Sequence, residues 1–172
     1  MPLSGGVSPH GAAKHTDVTR ELFIPANACY IAAGTSGLLS QHQRVSGGAN
    51  ADEPDVHFSL KVPDDFVSFG SVKAVWAAVP ASGNMYWRIL ANYGASGEDY
   101  AAHTDSPAIG VTATGGATLV NVQEPANPLT LSSLAAGDYI GIRFFREGTH
   151  ASDTINDVVY LLGILFTYTA SQ

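Results

Sequence analysis

The last third of the chain carries the pattern that most restricts its fold. Residues 134–148 read LAAGDYIGIRFFREG and residues 156–168 read NDVVYLLGILFTY, with a polar break between them. In the first segment Ile140, Ile142 and Phe144 line one face and Tyr139, Gly141, Arg143 and Phe145 the other, the period of a strand. In the second both parities are apolar: Val158, Tyr160, Leu162, Ile164 and Phe166 on one, Val159, Leu161, Gly163 and Leu165 on the other. A strand apolar on both sides is expected to be covered on both sides. One face would meet the core and the other a loop, an arm or another subunit. Burying four further residues of this size stabilises by roughly 4–8 kcal/mol before entropy is subtracted.

Composition bears on that choice. Only 13% of the 172 residues are charged, about half the usual share, while 45% are hydrophobic. This suits a sheet protein whose surface is partly hidden by other subunits. The formal charge of −7, with eight Lys and Arg that never cluster, argues against a nucleic-acid partner and against anionic membranes. No apolar run approaches the roughly 18 residues of a membrane-spanning helix. Cys29 has no partner for an intrachain bridge, so stability is expected from packing alone. Residues 1–19 lack both periodicity and a hydrophobic signal core, which predicts an extended arm over 1–20 and no classical secretion. A single domain is expected over 21–172.

The remaining chain alternates short apolar runs with turn signals. Val56–Val62 directs Val56, Phe58, Leu60 and Val62 one way and His57, Ser59 and Lys61 the other. Ser71–Val79 and Asn84–Tyr93 read as a hairpin closed by Pro80-Ala81-Ser82-Gly83. Small Ala beside Trp76 and Trp87 suggests facing sheets that interdigitate. Further strands are expected at 22–24, 29–33, 108–113, 117–123 and 129–131, with loops over 34–54 and 94–107. With no convincing helix and turns every 8–12 residues, the fold class is all-β: an antiparallel, jelly-roll-like β-sandwich with an extended N-terminal arm.

Chemistry is sparse. His10 and His15 lack a third ligand nearby. Asp52, Glu53 and Asp55 are too few for a calcium loop. Asp64 and Asp65 are adjacent in extended chain and point apart. Glu98, Asp99, His103 and Asp105 form the one acid–histidine mixture in a short span, and read as a polar loop. There is no nucleophile elbow, phosphate loop or His-Glu-x-x-His. No enzyme activity, cofactor or metal site is expected.

Residues 62–93 (VPDDFVSFGSVKAVWAAVPASGNMYWRILANY), 131–148 (LSSLAAGDYIGIRFFREG) and 153–168 (DTINDVVYLLGILFTY) together resemble small β-sandwich virion proteins of tailed bacteriophages, a likeness covering about 56–168. The last two also resemble the closing strands of trimeric jelly rolls of the tumour-necrosis-factor type. The resemblance implies a head-decoration or fibre component, assembled in the host cytoplasm as a homotrimer on a major capsid or other virion protein. On that expectation Phe145, Val159, Leu161 and Leu165 would form the oligomer interface, and Val7, His10, Val18 and Arg20 would attach to the capsid. The alternative is a receptor- or glycan-binding module of a tail fibre. Its contacts would be loops 34–54 and 94–107, with Tyr86, Tyr93 or Tyr100 stacking on sugar.

Overall fold

A computed structural model describes residues 16–26, 30–31, 38–39, 42–45, 55–78, 82–99, 102–113, 119–155 and 157–172. The strands, in chain order, are β1 (Val18–Pro25), β2 (Tyr30–Ile31), β3 (Leu38–Leu39), β4 (His42–Val45), β5 (Val56–Lys61), β6 (Phe66–Ala78), β7 (Asn84–Gly94), β8 (His103–Ala113), β9 (Asn121–Gln123), β10 (Tyr139–Arg146) and β11 (Val159–Ala170). They form two antiparallel sheets. One runs β3-β4-β11-β6-β9, with β1 sharing the edge of β11 that β4 also uses; the other runs β2-β5-β10-β7-β8. From β5 to β11 the chain changes sheet at every step except β7 to β8. This alternation is the jelly-roll-like β-sandwich that the strand pattern implies.

The core lies between the sheets. β6 contributes Val72, Ala74, Trp76 and Ala78, and β7 contributes Met85, Trp87, Ile89 and Ala91, all at most 2% exposed. Ile140, Ile142 and Phe144 of β10 and Val56 and Phe58 of β5 complete the facing layer. Trp87 stacks on Phe144 at 5.6 Å. The period-2 rows of the sequence therefore name the buried faces correctly. Their pairing differs: β6 and β7 belong to different sheets and do not form the expected hairpin. A turn signal marks a reversal but does not say whether the chain returns to the same sheet.

β11 corrects the opening expectation. Its register against β6 slips between Leu161 and Gly163. An extra residue of this kind shifts side-chain parity. Inward residues are Val159 and Leu161 before the slip, then Ile164, Phe166, Tyr168 and Ala170 after it, all at most 3% exposed. Much of the apparent second apolar face is therefore the first face continued in the other parity. Val159 and Leu161, expected at an oligomer interface, are fully buried within the chain's own core. Gly163 faces outward, where a Cβ would come within 2.7 Å of the Phe23 ring, so β1 itself covers that stretch.

Other expectations shift locally. Val18 and Arg20, expected in a capsid-binding arm, belong to β1. They pair with Ala170 and Tyr168, and Arg20 forms an ion pair with Asp65. Strand pairing thus draws residues 18–20 into the sandwich. Val7 and His10 lie outside the described residues, as do His15, Cys29, Asp52, Glu53 and Tyr100. The expected loop 34–54 contains β3 and β4, and β8 starts at His103, inside the expected loop 94–107. Residues 129–131 form no strand: Leu131 takes φ +41°. Asp105 holds that bend by accepting from the Thr130 and Leu131 amides at 2.5 and 3.0 Å.

Candidate functional site

The outer face of the five-stranded sheet carries a groove of about 790 Å³, within the usual range for ligand sites. It is built from residues of β5, β10 and β7 that alternation turns away from the core. Three rungs cross it. Tyr139 stands opposite Lys61 on one side and Gly94 on the other. Gly141 stands opposite Ser59 and Asn92, and Asn92 opposite Thr104. Arg143 stands opposite His57 and Leu90.

The middle rung makes the groove. Gly141 has no side chain, and a Cβ placed there would meet nothing closer than the Asn92 carbonyl at 3.9 Å. Tyr139 and Arg143 rise on either side, about 13 Å apart along the strand. Tyr139 is 59% exposed, and its neighbour Gly94 has no side chain to cover the ring. Thr104 Oγ1 donates to Asn92 Oδ1 at 2.8 Å, which leaves the Asn92 amide N–H groups as donors beside the floor. Glu98 borders the groove and accepts from the Ala95 amide at 2.9 Å.

Both cations of the wall are held in place. Arg143 Nη2 lies 2.7 Å from Asp55 Oδ2, and its guanidinium lies 4.6 Å over the Phe145 ring. Lys61 Nζ lies 2.7 Å from Asp64 Oδ1. The hydrogen bond to Asp64, then its charge, raises the Lys61 pKa above the ordinary 10.5. Lys61 therefore stays protonated across the physiological range. Arg88 is bridged to Glu147 at 2.8 Å and also approaches the Phe145 ring, at 6.0 Å. Phe145, expected at an oligomer interface, is thus half-buried beneath two guanidinium groups of its own chain. Leu165, expected at the same interface, is half-buried on the outer side of β11.

Two of the stacking tyrosines expected from sequence, Tyr86 and Tyr93, do not form the platform; the third, Tyr100, lies outside the described residues. Tyr86 is 7% exposed and capped by His150 with ring centroids 3.7 Å apart. Tyr93 is 4% exposed and stacks inside on His103 at 5.2 Å. The acid–histidine residues of 98–105 are spent locally: Asp105 on the bend at 130–131, and Glu98 on Ala95, with His103 Nε2 at 3.8 Å. Among the described residues no group of three or more His, Cys, Asp or Glu converges as a metal site. Tyr139 and Gly141 were missed as site residues, although their signal was present: an aromatic and a glycine on the uncovered parity of a strand.

No family model matches this chain, and no curated protein matches it. Solved structures of similar shape exist at low identity. One is an isomalto-dextranase of Arthrobacter globiformis T6 complexed with panose, at 15% identity and TM-score 0.51, covering 85% of this chain and 23% of that one. Another is the carbohydrate-binding module CBM36 in complex with calcium and xylotriose, at 15% identity and TM-score 0.49, covering 86% and 98%. A third is the family 11 carbohydrate-binding module from Clostridium thermocellum in complex with a β-1,3-1,4-mixed-linked tetrasaccharide, at 12% identity and TM-score 0.38, covering 91% and 90%. None of these three is a virion protein. The class defined here is the two-sheet antiparallel β-sandwich, with a groove across the outer face of one sheet.

Proposed function

We propose that this domain is a glycan-binding module and that the groove over Gly141 is its binding site. The observation that carries the reading is the exposed Tyr139 ring beside a floor without a side chain, flanked by Asn92, Ser59, Lys61 and Arg143. A sugar ring has an apolar C–H face and a polar rim. An aromatic ring supports the first, and fixed donors and acceptors around a shallow floor select the second. The low-identity likeness to sandwiches complexed with saccharides agrees in fold and is not the argument.

The ligands named for those structures make suitable first probes. Titration calorimetry with xylotriose, the mixed-linked tetrasaccharide and panose should detect millimolar or tighter binding to at least one. Tyr139→Ala should weaken it by about tenfold, the scale of one lost aromatic contact. Absence of binding across a broad array of neutral and acidic glycans sinks the reading.

A second reading, self-association through the outer side of the six-stranded sheet, is favoured by one strip. Val122 and Phe23 are each 51% exposed. Val122 pairs with Val75, and Val75 with Gly163, over which the Phe23 ring lies. Sedimentation of the parent and of Val122→Glu decides it: an oligomer that the variant dissociates supports association there, and a monomeric parent removes it. No observation on the groove or the strip favours capsid decoration.

A further inference from the structure

We propose that Asp55 and Asp64 set the ligand class of this groove by neutralising its two cations, so that it takes uncharged glycans and turns away polyanionic ones. The inference rests on the glycan-binding reading above. Arg143 and Lys61 stand on the outer two of the three rungs. Free, each would be a natural partner for a uronate carboxylate or a sulfate. Neither is free. Asp55, immediately before β5, engages Arg143 at 2.7 Å. Asp64, just after β5, engages Lys61 at 2.7 Å. One short strand thus brings an acid to each of the groove's cations.

The remaining charges act in the same direction. Glu98 adds a third carboxylate at the groove, and the chain carries a formal −7, so the long-range field repels anions. An anionic sugar would have to displace a tethered carboxylate at both cations, against the high effective concentration that tethering gives. A neutral sugar does not compete for those charges. It can accept from the guanidinium and ammonium N–H groups that remain exposed, since the Arg143 and Lys61 side chains are 44% and 50% accessible.

The test uses Asp55→Asn and Asp64→Asn, singly and together, in the full chain. Each is titrated at low salt with polygalacturonate and with a neutral xylan or mixed-linkage glucan. The parent should prefer the neutral polymer by at least about tenfold. In the double variant the ratio of polygalacturonate to neutral affinity should rise by about fivefold or more, the scale of one near-surface charge contact. The gain should fade at roughly 0.5 M salt, as screening requires. The Asp64 side chain is 82% exposed, so Asp64→Asn alone supplies a variant whose folding is not in question. A parent that binds polygalacturonate as tightly as the neutral polymer overturns the inference and leaves the groove reading standing. Variants that gain nothing do the same. A parent that binds neither polymer, nor any glycan of the broad array above, overturns both.

Discussion

Gly141 is the residue on which the site turns. It sits on the outer face, where a Cβ would touch only the Asn92 carbonyl, at an unstrained 3.9 Å, so a larger side chain there fits the fold and projects into the groove. Gly141→Val should therefore abolish glycan binding while leaving the thermal midpoint unchanged or slightly higher, since Val suits a strand better than Gly by about 0.5–1 kcal/mol. Retained binding with a normal midpoint would place the ligand elsewhere. Arg146 illustrates the opposite case. It ends the inward row of β10 as a charge, and its side chain is 2% exposed against 1% for its partner Asp153. Arg146 Nε and Nη2 donate to the two Asp153 oxygens at 2.8 and 2.5 Å, and Nη1 donates to the Asp157 carbonyl at 3.1 Å. Asp153 also accepts from the Tyr86 amide at 2.9 Å. Asp153→Ala would strand a buried guanidinium, and urea denaturation should show a loss of about 3–5 kcal/mol. A loss under about 1 kcal/mol would mean that water reaches the arginine.

Among the elements, β11 joins the most neighbours, pairing with β1, β4 and β6. Its approach to β1 is close at Gly163, where a Cβ would lie 2.4 Å from the Ile24 carbonyl. Gly163→Ala must push β1 away, and chemical denaturation should report about 1–3 kcal/mol of destabilisation; an unchanged midpoint would contradict that packing. β1 contributes eight consecutive register pairs to β11, from Val18 to Pro25. A truncation ending before Val18 should keep these pairs, and one running through Pro25 should lower the thermal midpoint sharply relative to it. The sequence reveals such elements unevenly. Rows such as Val56–Phe58 and Ile140–Ile142–Phe144 are legible because their polar and apolar residues keep one period. β11 is not, because residues of either parity are apolar and nothing marks where the parity changes. The bend at 129–131 is hidden for another reason: it depends on Asp105, some 25 positions earlier in the chain.

At the scale of the molecule, the two sheets present different outer faces. The six-stranded sheet shows the exposed apolar side chains of Phe23 and Val122, with Val75 buried between their strands. The five-stranded sheet shows a groove with an aromatic, a bare floor and paired charges. Fold class was legible in the sequence, since strand count, turn spacing and facing Trp–Ala rows all follow from local chemistry. The site was not, because its three rungs join residues near positions 60, 92 and 141, and that proximity exists only after the chain has crossed between sheets several times. Low charge content, read as a sign of hidden surface, does not say which face is hidden or by what. The most direct measurement is amide chemical-shift mapping during titration with a bound neutral oligosaccharide. The expected perturbations cluster at 57–61, 90–95 and 139–143 and vanish in Gly141→Val. Perturbations confined to the six-stranded sheet or to the loop ends, with the groove silent, would contradict the account.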